Sequence, residues 1–366
     1  MSFNLRLGIQ QRVLPAYRAP FFDLLACSCP AGLSLYAGQP WADEAMGPAG
    51  QLKVGQKWPG RNVYLLNQGF RLVWQRGVLE WLNSFQPQAL ILEANPRNLS
   101  NARIVRWAHA HHAPLVGWGL GAPPLQGPLA RIQDLCRGSY LKRFEALITY
   151  SQRGAGEFAQ AGFPLEKIFV APNAITSRPQ RPPPDRPVHL DEPVTVLFVG
   201  RLQARKRVDD LIYACAHLPE SLRPQLWIVG DGPARTELQS LARQIYPRAH
   251  FYGDRRGAEL EELFNLADCF VLPGTGGLAV QEAMAHALPV IVAEADGTQD
   301  ELVREENGWR LSSSGPGPLE STLREALSDR LKLRRMGLAS WNIVQNEVNI
   351  ELMVDIFLKA LRGITK

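Results

Sequence analysis

Val194-Thr195-Val196-Leu197-Phe198-Val199-Gly200-Arg201-Leu202-Gln203-Ala204-Arg205-Lys206 is an apolar run of strand length that ends on a glycine and is followed at once by cations. A short β-branched and aromatic run of this kind reads as a strand buried on both faces, and Val208–His217 after it has helical length. The succession recurs downstream. Strands are expected at Gln225–Val229, His250–Tyr252, Cys269–Leu272, Val290–Val292 and Gly308–Leu311. Helices are expected at Ala234–Ile245, Glu259–Ala267, Leu278–His286 and Thr298–Val303. Strands alternating with amphipathic helices make a parallel sheet covered on both faces, a doubly wound α/β domain.

Upstream of this block, seven prolines lie between Pro172 and Pro193. Proline fixes φ and removes a donor, so this stretch reads as an extended, stiff linker. Before it the alternation appears again. Its strands are expected at Leu5–Ile9, Gly32–Tyr36, Val63–Leu66, Ala89–Leu92, Leu115–Trp118, Ala146–Tyr150 and Ile168–Ala171. Its helices include Phe21–Cys27, Gly69–Phe85, Asn101–His111 and Gln152–Gly162. The last stretch, Leu319–Leu361, reads as helix. The expected organisation is a first domain over 1–172, a linker over 173–193 and a second domain over 194–344. A C-terminal helix at about 345–366 should pack back on the first domain. Two facing doubly wound domains would enclose a cleft at the carboxyl ends of their strands.

The bulk properties narrow the function. The chain has 366 residues, 46% of them hydrophobic, enough for two packed cores. Met1 to Leu14 has no continuous apolar stretch, and no run reaches the roughly 18 apolar residues of a membrane span. Cys27, Cys29, Cys136, Cys215 and Cys269 form no CxxC pair, which fits a reducing cytoplasm and argues against structural zinc. Net charge is +5, unevenly placed: residues 1–170 hold 17 Lys+Arg and 9 Asp+Glu, residues 171–366 hold 23 and 26. A basic first half suits an anionic partner, such as the inner face of a membrane, a phosphorylated lipid or an acidic polymer; an arginine-rich solvated surface is the plainer reading. The arginines are scattered without a nucleic-acid motif, so nucleic acid is not expected.

Three strand-to-helix junctions of the second domain can carry chemistry. At the first, Gly200 admits a ligand close to the backbone, and Arg201 and Lys206 supply the fork and the point charge that a diphosphate needs. The second is Val229-Gly230-Asp231-Gly232-Pro233, a tight turn into a helix, whose amino terminus attracts anions. The third is Leu272-Pro273-Gly274-Thr275-Gly276-Gly277-Leu278, a glycine-rich turn with N–H groups to offer, followed by Glu282, a carboxylate suited to a ribose diol. Each has a structural reading too: a solvated helix entry, a common α/β turn, a helix-surface glutamate.

Taken together and in order, residues 194–311 resemble the donor-binding domain of the retaining glycosyltransferases of family 4, glycosyl transferases group 1, of GT-B architecture. The matching text runs from Val199-Gly200-Arg201 with Lys206 through Ile228-Val229-Gly230-Asp231-Gly232-Pro233, Phe251-Tyr252-Gly253, Ala267-Asp268-Cys269-Phe270-Val271-Leu272-Pro273 and Glu282-Ala283-Met284-Ala285 to Leu288-Pro289-Val290-Ile291. In the first domain, residues 14–22 and 168–174 resemble the first loop and the pre-linker segment of the same enzymes. The resemblance implies a nucleotide-sugar donor, with Arg201 and Lys206 on its diphosphate and Glu282, the second Glu of a pair spaced by seven, on its ribose. The pair's first Glu is replaced by Gly274, and the family's His near the donor sugar has no counterpart in Val116-Gly117-Trp118-Gly119-Leu120-Gly121.

Transfer by such a site needs fixed charge at the leaving diphosphate, and in a front-face route the leaving phosphate takes the acceptor's proton. No cofactor or metal is expected: there is no Asp-x-Asp, and the nearest substitute is Glu294-Ala295-Asp296. In the first domain Arg12, Tyr17, Arg18 and Asn95 are candidate acceptor contacts, and Glu93 is a candidate base or hydroxyl anchor, with a structural cap as its alternative. His109, His111 and His112 lack further metal ligands nearby. Trp118 either lines the cleft or packs. A sugar- or lipid-linked acceptor is implied. A non-catalytic nucleotide-sugar-binding protein of the same fold, an epimerase and a phosphorylase remain open.

Overall fold

The computed structural model describes residues 2–41, 50–65, 72–125, 127, 130–186, 188, 192–293 and 301–365. The chain forms two compact units, Met1–Ile175 together with Ile350–Lys366, and Thr176–Asn349.

The N-terminal unit is built on seven parallel strands: β1 (Leu7–Val13), β2 (Leu33–Gly38), β3 (Gln56–Pro59), β6 (Ala89–Glu93), β7 (Leu115–Gly119), β8 (Ala146–Thr149) and β9 (Ile168–Val170), in the order β3-β2-β1-β6-β7-β8-β9. β4 (Arg61–Leu65) and β5 (Leu72–Arg76) form a separate antiparallel pair. Helices α1 (Ala19–Cys27), α2 (Val78–Phe85), α3 (Asn101–Ala110), α4 (Ala130–Leu141) and α5 (Gln152–Gln160) cross over between strands. β6 is buried at Ala89, Leu90, Ile91 and Leu92, all at 0% exposure, as a strand covered on both faces requires.

The C-terminal unit has six parallel strands: β10 (Thr195–Val199), β11 (Gln225–Val229), β12 (Ala249–Gly253), β13 (Cys269–Leu272), β14 (Val290–Ala293) and β15 (Gly308–Leu311), in the order β12-β11-β10-β13-β14-β15. α6 (Val208–His217), α7 (Arg235–Ile245), α8 (Ala258–Leu266), α9 (Ala279–Ala285), α10 (Pro316–Ser328) and α11 (Arg330–Asn346) cover it. α12 (Ile350–Ile364) belongs to the N-terminal unit, where Phe357 packs on Phe21 and Trp118 with ring centroids 4.9 Å from each.

In both sheets the strand order reverses once, between β1 and β6 and between β10 and β13. Ligands of open α/β sheets bind beyond the carboxyl ends of the strands at such reversals. The residues there are Arg12 and Glu93 in one unit, and 200–206 and 273–278 in the other.

Several expectations need correction. Leu72–Arg76 is a strand, not part of a helix running to Phe85; Val73 and Gln75 alternate with more exposed neighbours, and Gly77, at φ +81°, separates the strand from α2. The strand expected at Val63–Leu66 lies in the hairpin rather than the parallel sheet. The sheet's edge is β3, which carries no buried residue and hence no periodic signal. Leu319–Leu361 divides into three helices; Asp329 caps the second by accepting from the Lys332 N–H at 2.8 Å. Leu66, 69–71, 298–300 and Glu294-Ala295-Asp296 lie outside the described residues.

Candidate functional site

In the C-terminal unit, β10 and β13 are neighbours, so the segments that leave their carboxyl ends meet. After β10 the chain passes Gly200 and Arg201 and makes a single 3-10 turn, Ala204–Lys206. After β13 it forms the loop 273–278. The two are stitched together: Thr275 N–H donates to Arg205 O at 3.0 Å, and Lys206 Nζ donates to Thr275 O at 2.9 Å and Gly276 O at 2.5 Å. Lys206 is 6% exposed. Burial, with Arg205 beside it, pulls its ammonium down to about 8. Arg201 is exposed and has no hydrogen-bond or ion-pair partner among the described residues. One cation is thus fixed against the loop and another stands at the strand end.

Gly274 is explained by this packing. A Cβ at 274 would stand 2.3 Å from Arg205 O and 2.5 Å from Lys206 Cα. The space where a side chain would begin is filled by the backbone that carries Lys206. Gly230, at φ +128°, has the same kind of reason: its Cβ would fall 2.0 Å from Gly200 O. Gly232 abuts Leu202 O in the same way. Both were expected as ligand contacts, and the structure gives them a packing role that holds β11's turn against β10's. Gly277 packs on Leu272.

α9 begins at Ala279, with Leu278 preceding it. Among the described residues no acceptor takes the N–H groups of Gly276, Gly277 and Leu278. Glu282, in the first turn of α9, is half-buried, its carboxyl pushed above the ordinary glutamate value by burial. Among the described residues nothing bonds to that carboxylate. Cations, free N–H donors and an unpartnered carboxylate around one strand end can hold a diphosphate and a diol.

In the N-terminal unit, a cavity of about 620 Å³ opens beyond β1, β6 and β7. Glu93 ends β6 at its wall. Its Oε1 accepts from the Arg12 N–H at 2.6 Å, and burial raises its carboxyl despite the Arg12 charge. Arg12 donates from Nη1 to Tyr64 Oη at 2.9 Å. Asn95 is exposed in the following turn, where its Oδ1 accepts from the Arg97 N–H at 3.0 Å. Arg12, Glu93 and Asn95 therefore share one cavity.

Tyr17 and Arg18 do not join them. Arg18 is 6% exposed, donates to Ala174 O at 3.0 Å, and lies 5.5–5.8 Å from the ring centroids of Tyr17, Trp118 and Tyr150. It braces the cavity from behind and is not presented to an acceptor. Trp118 both packs and lines: it is 4% exposed against Phe21, Phe22 and Phe357, it contributes to the cavity wall, and its Nε1 meets no acceptor. Phe21 and Phe22, at 1% exposure each, are core.

Sequence reading missed the network that sets Glu93 and Arg12. The Glu93 N–H donates to Gln10 Oε1, Gln10 Nε2 to Gln75 Oε1 at 2.5 Å, Gln75 Nε2 to Gln11 O, and Asn62 Nδ2 to Arg12 O. Buried polar side chains on β1 and β5 were its only trace. His109, His111 and His112 line a second cavity, about 930 Å³, at the amino ends of the strands; no metal-binding cluster occurs among the described residues.

Residues 184–340 match the family described as glycosyl transferases group 1. The chain is 36% identical over 160 residues to a GDP-mannose-dependent alpha-mannosyltransferase of Mycolicibacterium smegmatis, covering 41% of this chain and 40% of that one. It is 28% identical over 302 residues to a GDP-mannose-dependent alpha-(1-6)-phosphatidylinositol monomannoside mannosyltransferase of Mycobacterium tuberculosis, covering 77% of this chain and 75% of that one. Where identity exceeds 30%, the chain spans less than half the length of the curated relatives it matches. Among solved structures, Anabaena Alr3699/HepE in complex with UDP superposes with a TM-score of 0.73 at 18% identity, over 99% of this chain and 100% of that one.

Proposed function

We propose that this chain, whose residues 184–340 form a glycosyl transferases group 1 domain and whose two Rossmann-like units have the GT-B fold, transfers a glycosyl unit from a nucleotide-sugar to an acceptor. The observation that carries the reading is the meeting of Lys206 and the loop 274–278 at the strand reversal of the C-terminal unit. The donor's diphosphate lies against Arg201, Lys206 and the N–H groups of 276–278, and its ribose diol on Glu282.

Breaking the bond between the sugar's anomeric carbon and the diphosphate oxygen leaves negative charge on the nucleotide. Fixed cations and N–H dipoles at that position lower the barrier, each such donor by about 2.7–4 kcal/mol. These groups are assigned the charge neutralisation, so the transfer is read as metal-independent. The departing phosphate oxygen takes the acceptor's proton on the face where the new bond forms, which retains configuration. Glu93, Asn95 and Arg12 orient the acceptor hydroxyl in the N-terminal unit. The relatives' names support a nucleotide-sugar donor, and one of them supports a lipid acceptor.

The replacement of the family's first Glu by Gly274 favours a second reading, a nucleotide-sugar-binding protein without turnover. Thermal melting with UDP-, GDP- and ADP-sugars tests both. A cognate nucleotide should stabilise by about 2.7 kcal/mol at a hundredfold excess over Kd. Stabilisation with glycosyl transfer or donor hydrolysis establishes the enzyme; stabilisation without either establishes the binder. No shift with any nucleotide would defeat both.

A further inference from the structure

Lys206 is held from two sides, and only one of them is the loop 274–278. On the other side the chain must pass from the 3-10 turn Ala204–Lys206 into α6, and it does so at Arg207, whose φ of +53° and ψ of +40° are left-handed. An L-residue in that conformation brings its Cβ close to the following carbonyl oxygen, so glycine is the default there. An arginine persists in it only where its surroundings fix it. Two contacts do so. The Arg207 N–H donates to Ala204 O at 3.0 Å, and the guanidinium Nε pairs with Asp210 Oδ2 at 2.6 Å. Asp210 stands in the first turn of α6 and is 8% exposed, so the anchor of the pair is buried in the helix entry.

The peptide between residues 206 and 207 belongs both to this turn and to the contact with the loop. The carbonyl carbon and Cα of Lys206 each lie 2.5 Å from where a Cβ at Gly274 would stand, and Arg205 O accepts from the Thr275 N–H at 3.0 Å. If Arg207 relaxed to negative φ, that peptide would rotate, and Lys206 Nζ would be drawn away from Thr275 O and Gly276 O. A glycine would make the turn without strain, but it would also leave the turn without a tether. We infer that Arg207, tied to Asp210, is a positioning residue: the pair locks the left-handed turn and so presents Lys206 to the loop and to the nucleotide diphosphate. Arg207 is assigned no contact with the nucleotide and acts through Lys206. The inference rests on the glycosyl-transfer reading for its ligand, and on the geometry alone for the placement of Lys206.

Lys206 is its own reporter. Burial holds its ammonium at about 8. The loop 273–278 that faces it carries no titratable side chain, and the charged groups around it in the chain are Arg201, Arg205 and the Arg207–Asp210 pair. Competitive acetic anhydride labelling of the ligand-free, full-length protein, read by mass spectrometry across pH, gives the inflection of each lysine. In the wild type that of Lys206 should lie at about 8. In Arg207→Gly, where the turn stays sterically allowed, it should move towards the ordinary lysine value of about 10.4 as the ammonium regains solvent. The same variant should melt near the wild-type temperature and yet bind UDP, GDP or ADP, whichever stabilises the wild type most, with Kd at pH 7 raised about tenfold. Asp210→Asn removes the tether from its other end and should do the same, and the double variant should add nothing further. Arg207→Lys keeps a cation opposite Asp210 and should stay close to wild type in both readouts. A Lys206 inflection that remains at about 8 in Arg207→Gly and Asp210→Asn would reduce the pair to a helix-entry contact and overturn the inference. So would an ordinary lysine inflection in the wild type, wild-type nucleotide affinity in Arg207→Gly, or an Arg207→Lys variant that behaves like Arg207→Gly. A wild type that binds no nucleotide would defeat the glycosyl-transfer reading, while the labelling would still decide what places Lys206.

Discussion

Lys206 gives up solvent to bond two loop carbonyls, and the role proposed for it makes nucleotide binding pH-dependent. Its ammonium sits at about 8 because burial disfavours the charged form and Arg205 repels it. A bound diphosphate would favour that charge and raise the value. Below pH 8 the group is charged with or without ligand, so affinity should be flat. Above pH 8 the free protein must take up a proton on binding, and Kd should rise about tenfold per pH unit until the bound form titrates. Nucleoside diphosphate titrations from pH 7 to 9.5 check this; a flat Kd to pH 9.5 would remove Lys206 from the site. Glu282 has the opposite sign. Its raised carboxyl means the native state binds more protons than the unfolded one, so the stability it contributes is present at low pH and lost as pH rises through the native value. Glu282→Gln should therefore melt higher than wild type at pH 7 without ligand. The same change should weaken nucleotide binding by about 1.5–3 kcal/mol, the worth of a hydrogen bond to a charged group. Unchanged affinity with raised stability would mark a helix-surface residue. At Gly274 the geometry predicts that restoring a side chain does harm. Gly274→Ala must displace the backbone of 205–206 and with it Lys206, so the variant should lose nucleotide affinity while the protein still folds, as calorimetry and a melting curve would show.

One side chain of the proline-rich segment reaches two helix ends of the C-terminal unit. Arg186 donates to Phe264 O at 2.8 Å in the last turn of α8 and to Ala267 O at 2.9 Å just after it, and to His286 O at 2.7 Å and Ala287 O at 3.2 Å after α9. One guanidinium thus takes the orphan carbonyls of two helix ends and meets the negative ends of both dipoles. The segment's backbone is held in turn: Arg334 Nε donates to Arg186 O at 2.9 Å, and Arg334 pairs with Asp268 at 2.7 Å. Arg186→Ala should cost about 1.5–3 kcal/mol, the range for a hydrogen bond to a charged group. Hydrogen exchange should rise across 258–290 and stay at the wild-type level in β1, β6 and β7; a uniform rise, or none, would refute the clamp. None of this was legible in the sequence, where Arg186 is one basic residue among prolines. What was legible had local causes. β10 and β13 announce themselves because each is a short apolar run closed by glycine or proline, and the cations after β10 follow within seven residues. β5 did not, because Leu72, Val73 and Trp74 stand at helix-compatible spacing to Val78, Trp81 and Leu82, and only the left-handed turn at Gly77 separates them. The burial of Arg18 rests on Trp118, Tyr150 and Ala174, partners a hundred or more residues away, and the reason for Gly274 is a backbone contact 69 residues distant. Such information enters only with the tertiary fold.

At the scale of the whole chain, charge is partitioned between the units: 20 Lys+Arg to 11 Asp+Glu in the N-terminal one, and 20 to 24 in the C-terminal one. No helix among the described residues is long and apolar enough to cross a membrane. The phenylalanines next to Arg18 cannot provide an apolar foothold, because both are core. Besides Tyr17, Val54, Leu65, Leu79, Leu99 and Leu165, the exposed apolar residues of the basic unit include Leu120, which lines the cavity, and Leu135, next to the lining residue Cys136 on α4. Leu120 and Leu135 flank the cavity assigned to the acceptor, so the surface that would meet a lipid headgroup layer is also the mouth of the acceptor site. Binding by scattered cations and a few leucines is electrostatic first and shallow second: it should be reversible and should weaken as salt shortens the screening length from about 10 Å at 0.1 M to about 3 Å at 1 M. Co-sedimentation with phosphatidylglycerol-containing vesicles at low salt should therefore recover a bound fraction that phosphatidylcholine vesicles do not. Raising salt should release it, and Leu135→Glu should reduce it without changing the nucleotide-induced melting shift. Equal partitioning to neutral and anionic vesicles, or binding that survives 1 M salt, would assign the interaction to apolar insertion and leave the charge asymmetry without this role. The absence of binding to either would mean that the basic surface is solvated and that the acceptor must reach the cavity from solution.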